Sequence, residues 1–130
     1  MESIHDKTIL GIDPGTRFMG LAVIRGDQLL HFAVRTLRNG ERPYDLIGQA
    51  RRHVLATIRD YAPSIVAIEK PLLLATKRAA LVSAMGQELY ARSRELGVCV
   101  VEVEPKQVRM RIVGDPTASK SDLAEAIVRR

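Results

Sequence analysis

Thiols and aromatic rings are scarce in this chain. It holds one cysteine, Cys99, so neither an internal disulfide nor a multi-cysteine zinc site can form. A lone thiol fits a reducing compartment, and a cytoplasmic location is expected. Aromatic residues make up 4% of the chain, which leaves few rings for stacking on bases. Histidine is sparse too. His5, His31 and His53 are scattered with no pair at ligand spacing, so each reads as structural or solvent-facing. No apolar run reaches the ~20 residues of a membrane span, and "MESIHDK" lacks the apolar core of a signal peptide, so no membrane association is expected. Repeats, low-complexity tracts and domain linkers are absent from the sequence as well.

What is present suits one globular domain. A chain of 130 residues buries roughly 65% of its unfolded surface, enough for a core without staples. Twenty Lys and Arg against fifteen Asp and Glu leave a net charge of +5. That excess is compatible with a polyanionic partner, of which nucleic acid is the commonest.

The hydrophobic pattern predicts the order of elements. Thr8 to Asp13 is a short apolar run closed by "DPGT", which reads as a buried strand and a turn. Gly20 to Ile24 and Leu29 to Thr36 follow as strands, joined by a turn centred on Gly26-Asp27. Ile47, Ala50, Val54, Ile58 and Tyr61 recur at helical spacing, which predicts a helix over about 44–61 that stops at Pro63. Ser64 to Glu69 is a fourth strand. It follows a helix, so parallel pairing with the first strand is expected. Leu81, Met85 and Leu89 share one stripe of a second helix that Gly97 terminates. Gly86 inside it suggests close packing or a nearby ligand. Val98 to Glu104 is a fifth strand, with Cys99 expected in the core. Short helices are expected over about 105–113 and from about Lys120, where Ser119 and Asp122 form a capping-box pattern. The order β-β-β-α-β-α-β-α-α implies an α/β fold, a mixed five-stranded sheet flanked by helices.

Asp13 and Glu69 each end an apolar strand. If those strands neighbour each other in parallel, both acids emerge at one C-terminal edge, where open α/β sheets bind ligands. Two adjacent carboxylates repel and need a proton or a cation; Mg²⁺ or Mn²⁺ suits oxygen donors. "DPGT" also suits the phosphate loop of an actin-like ATPase or sugar kinase, with Gly15 allowing close backbone approach and Thr16 a hydroxyl near phosphate. That fold, however, encloses its nucleotide between two domains. Lys70, Lys77 and Arg78 follow the second acid, and Lys106, Arg109 and Arg111 form another basic cluster, both suited to DNA. The run Leu72 to Leu74 reads first as packing, then as a DNA wedge or a dimer surface.

With these residues in place, the chain resembles the RuvC family of Holliday junction resolvases, in the ribonuclease H-like superfamily. "ILGIDPGTRFMGLAVI" is similar to the family's first motif and "PSIVAIEKPLLLATKRAALVSAMGQ" to its second. "EVEPKQVRMRIVGDPTASKSDLAEAIVRR" is similar to its third region. The resemblance implies that Asp13 and Glu69 are catalytic metal ligands and that Arg109 and Lys120 contact phosphate or stabilise developing charge. It places Leu72 near the position of an inserting aromatic residue. It also implies two-ion phosphodiester hydrolysis that leaves a 5′ phosphate and a 3′ hydroxyl. The expected function is metal-dependent, structure-selective endonuclease action on branched DNA, the four-way junction, by a homodimer with two Mg²⁺ or Mn²⁺ ions per complete site. The alternatives are a YqgF-type ribonuclease H-like nuclease acting on RNA and a non-catalytic nucleic-acid-binding homologue. Residues 1–130 are expected to form one ribonuclease H-like domain lacking its last helix, with the remaining metal ligands beyond Arg130.

Overall fold

A computed structural model describes residues 6–38, 42–70 and 75–104. Five strands and two long helices appear in the expected order: β1 Thr8–Asp13, β2 Phe18–Arg25, β3 Gln28–Thr36, α1 Pro43–Tyr61, β4 Ile65–Glu69, α2 Lys77–Glu95 and β5 Cys99–Val103. The strands form one mixed sheet in the order β3-β2-β1-β4-β5. β1 to β3 are an antiparallel meander, whereas β4 pairs in parallel with both β1 and β5. The parallel connections each contain a helix, as parallel crossovers require.

Alternation along the strands decides which face becomes the core. Leu10 and Ile12 of β1, Met19, Leu21 and Val23 of β2, and Val66 and Ile68 of β4 all point to one face and are buried. Leu46, Ala50, Val54 and Ile58 of α1 close over them, together with Met85 and Leu89 of α2. Both helices therefore contribute to one core. An ion pair between Arg51 and Glu88, 3.1 Å long, links their outer surfaces.

Local chemistry sets the boundaries. The Asp45 carboxylate accepts the Arg42 backbone N–H at 3.2 Å, which caps the first turn of α1. That helix ends as Ala62 turns left-handed, φ 46°, and donates to Ile58 O at 2.8 Å, just before Pro63. Thr76 Oγ1 accepts the Ala79 N–H at 3.0 Å and starts α2. Gly97, at φ 79°, follows its end as a C-terminal glycine should.

Two expectations are corrected. Cys99 is exposed, not in the core. It opens an edge strand and pairs with Ile65, and both residues sit on the face turned away from the helices. Gly86 makes no close approach among the described residues, since a Cβ added there would meet nothing within 4 Å. The helices expected over 105–113 and from Lys120 lie outside the described residues.

Candidate active site

The site is built by register. In the parallel pair of β1 and β4, Leu10 opposes Val66 and Ile12 opposes Ile68. Asp13 and Glu69 are the next residue on each strand. They end β1 and β4 side by side at the C-terminal edge of the sheet. Their odd-numbered neighbours alternate with the buried even ones, so both carboxylates stand on the face opposite α1 and α2. Both residues are partly buried. A β2 glycine, Gly20, faces Asp13 across the antiparallel pair. A Cβ there would sit 3.5 Å from Asp13 Cβ, so glycine keeps the space beside the carboxylate clear.

The turn after Asp13 is fixed at three points. Gly15 lies so close to the Phe18 carbonyl that an added Cβ would be 2.3 Å from its oxygen. Leu37 N–H donates to Arg17 O at 2.7 Å, tying the turn to the end of β3. Arg78 Nε donates to Thr16 Oγ1 at 3.0 Å, tying it to the first turn of α2. Sequence reading offered Thr16 to a phosphate and did not foresee this bond. The two residues are 62 apart, and no local signal links them.

The basic residues sort by position. Lys70 follows Glu69 directly; its backbone N–H donates to Val103 O at 2.8 Å and its ammonium lies 3.5 Å from the Glu102 carboxylate. Both side chains of that pair remain about half exposed, so the cation stays accessible. Lys77 and Arg78 are exposed at the start of α2, and the Thr16 bond brings this end of the helix to the site. Asp13, Glu69, Lys70, Lys77 and Arg78 therefore share one edge. Leu72, Lys106, Arg109 and Lys120 lie outside the described residues.

The two acids fit a hard divalent ion through their oxygen donors and their adjacency. Among the described residues no group of three or more His, Cys, Asp or Glu side chains converges on a metal position, so these elements supply two ligands.

The sequence profile of the crossover junction endodeoxyribonuclease RuvC family matches residues 9–130. This chain belongs to the RuvC family. RuvC of Acidiphilium cryptum is 36% identical, with the alignment spanning 94% of this chain and 75% of that protein. For RuvC of Hyphomonas neptunium the identity is 35%, over 88% of this chain and 72% of the relative. Among solved structures, T. thermophilus RuvC in complex with a Holliday junction substrate superposes with a TM-score of 0.74 at 26% identity, covering 92% of this chain and 76% of that one. The yeast mitochondrial Holliday junction resolvase Ydc2, at 12% identity and a TM-score of 0.65, shares the fold. The mixed five-stranded sheet expected from the element order, and the ribonuclease H-like architecture that the family resemblance implied, are therefore the ones adopted. Among the described residues no helix is long and apolar enough to cross a membrane.

Proposed function

We propose that this RuvC-family chain hydrolyses phosphodiester bonds of four-way DNA junctions, with Mg²⁺ or Mn²⁺ held by Asp13 and Glu69. The observation that carries this reading is the register that ends β1 and β4 in adjacent carboxylates on the face turned away from α1 and α2. A bound divalent ion would offset their mutual repulsion, polarise a phosphoryl oxygen and stabilise the attacking and leaving oxygens of an in-line displacement. Two carboxylates supply −2 against +4 for two such ions, so further acidic ligands are needed from outside the described residues.

The protein's own part is positioning and charge. The pinned turn holds Asp13 at the strand end, and strands place catalytic groups more tightly than free loops do. Lys70, Lys77 and Arg78 bind phosphates on either side of the scissile bond. Lys106, Arg109 and Lys120 would add cations, with Arg109 and Lys120 the candidates for contact with the reacting phosphate, and Leu72 would be the candidate wedge at the branch point. A homodimer would present two such sites to symmetry-related strands, in the cytoplasm where the DNA substrate resides.

The test is cleavage of a synthetic four-way junction by the full-length protein in Mg²⁺ and in Mn²⁺. Asp13→Asn and Glu69→Gln should each lower the rate at least ~10²-fold, as loss of a group that stabilises the transition state does, and leave junction binding in place. Full activity in either variant, or none in the wild type with both metals, overturns the reading. Preferential cleavage of structured RNA would move the activity to RNA.

A further inference from the structure

Among the described residues some cationic side chains are held in ion pairs and others are not. Ion pairs take up Arg51, Arg59, Lys70 and Arg92. Arg17, Arg35, Arg38 and Arg52 are among the others, and all four are exposed. They are scattered in sequence and gathered by the fold.

The gathering can be followed bond by bond. Arg17 lies in the turn four residues after Asp13, and its carbonyl accepts the Leu37 N–H. Arg38 comes next in the chain. Its N–H donates to Gln49 Oε1 at 2.9 Å, and its carbonyl accepts from Gln49 Nε2 at 2.7 Å, which fastens it to α1. Arg52 lies three residues beyond Gln49, on the same flank of that helix. Its guanidinium leans back toward the helix N-terminus, within 3.7 Å of where a Gly48 Cβ would be. Arg35 pairs with Met19 across the sheet and so projects from the helix side of β3, toward α1. The residues opposite confirm that geometry: His31 on the same side of β3 stacks on Tyr61 of α1, with ring centroids 5.2 Å apart. The electrostatics agree. His53, on this flank of α1, has its pKa lowered first by burial and then by the charges of Arg35 and Arg52. Asp45 is the acid on this part of α1, and it accepts the Arg42 backbone N–H.

Four exposed arginines anchored along one stretch of the β1–β2 turn, the end of β3 and the first half of α1 offer strong bidentate ligands for phosphate. We infer that Arg17, Arg35, Arg38 and Arg52 form a second phosphate track, on which the backbone of a duplex arm of the substrate lies as it leaves the carboxylates at the sheet edge. The inference rests on the function proposed above and adds the path of the nucleic acid away from the β1–β2 turn. The track suits duplex and not single-stranded nucleic acid, because it offers charge without stacking surfaces. Phe18 is on the opposite face of the sheet, paired with Thr36, and Tyr44 already carries the Arg42 guanidinium 5.6 Å from its ring centre.

Arg17 and Arg38 give the clean test, since their structural bonds are made by backbone atoms that alanine retains. The full-length protein carrying Asp13→Asn binds a labelled four-way junction without cutting it. Its affinity is followed by fluorescence anisotropy across a salt series. Adding Arg17→Ala and Arg38→Ala should reduce the slope of log K against log salt by about 2, close to 0.9 per lost phosphate contact. A matched control removes Arg25 and Arg59, at the far end of the sheet and of α1, and should leave the slope unchanged. Circular dichroism melts establish that both double variants fold. An unchanged slope in the Arg17/Arg38 variant, or an equal loss in the control, overturns the track while the functional reading stands. Equal losses on single-stranded DNA overturn the duplex assignment. If the Asp13→Asn parent binds no junction, the functional reading falls and the track falls with it.

Discussion

Replacing Gly15 by alanine tests whether the turn that positions Asp13 is as tight as it looks. An added Cβ would lie 2.3 Å from the Phe18 carbonyl oxygen and 3.5 Å from its carbon. An ordinary contact would be at least ~1 Å longer, and the obstacle is backbone, which cannot rotate away as a side chain can. Relief requires the turn to open or the first β1–β2 pair, Asp13 with Gly20, to part. Overpacking of this kind costs typically 1–3 kcal/mol. At ~2.1 cal/mol/K of unfolding entropy per residue, a chain of 130 residues loses roughly 4 °C of Tm per kcal/mol. Gly15→Ala should therefore melt roughly 4–11 °C below wild type. Junction cleavage should fall further than this stability loss accounts for at a temperature where both proteins are folded, because the displaced carboxylate is two residues away. Gly86→Ala is the internal comparison. That glycine sits mid-helix with nothing within 4 Å of a new Cβ, so alanine should stabilise α2 by about 1 kcal/mol, a Tm rise near 4 °C. Differential scanning calorimetry reads both. A Gly15→Ala protein with the wild-type Tm, or a Gly86→Ala protein that melts lower, refutes the steric reasoning.

Two further outcomes follow from burial. Leu10 is fully buried at the centre of the core, between β2 and β4, so Leu10→Ala should cost about 2–5 kcal/mol in chemical denaturation, with the urea m-value unchanged. His53 has a folded-state pKa below its usual value, through burial and then the Arg35 and Arg52 charges, so the unfolded chain binds the proton more readily. Stability should thus be complete above the ordinary histidine pKa of ~6.5 and decline as pH falls below it, and His53→Gln should flatten that part of the Tm–pH curve; an unchanged slope between about pH 6.5 and 5 would count against the assignment.

Much of the site was readable because strand ends leave a clear mark. An apolar β-branched run that stops at an acid can be placed from the chain alone, and it occurs at both Asp13 and Glu69, with a glycine turn after the first and a proline, Pro71, after the second. Parallel pairing then followed from the intervening helix. The second strand was harder to bound. Its apolar run reads from Gly20, yet the strand begins at Phe18, and Met19 is wholly buried. The strand starts early because Phe18 must pair with Thr36, a tertiary requirement that no local propensity encodes. Cys99 was misread for a related reason. "VCVVEV" is apolar enough for a core strand, but a run without alternation does not say which side faces the helices, nor that β5 lies at the edge. The arginine cluster was beyond sequence reading altogether. Charges at positions 17, 35, 38 and 52 form no run, and a hairpin and a helix have to fold before they meet.

The division between the two faces of the sheet explains how the fold tolerates such a site. On the helix side the large apolar side chains of β1, β2 and β4 serve the core, so among the described residues the opposite face of these strands can carry groups that packing would penalise. Around the two acids that face is small: Gly11 and Ala67 precede them on their own strands, and Gly20 and Ala22 lie across β2. Among the described residues of β1, β2 and β4, little bulk competes with an ion or a phosphate there. The charges act over different ranges. Asp13 and Glu69 repel a phosphodiester at short distance unless a cation stands between them, whereas exposed arginines attract the polyanion out to the Debye length, ~8–10 Å in physiological salt. Nucleic acid would therefore be gripped first by arginines at the rim, and a divalent ion held by Asp13 and Glu69 would supply the positive charge that lets a scissile phosphate approach the two carboxylates.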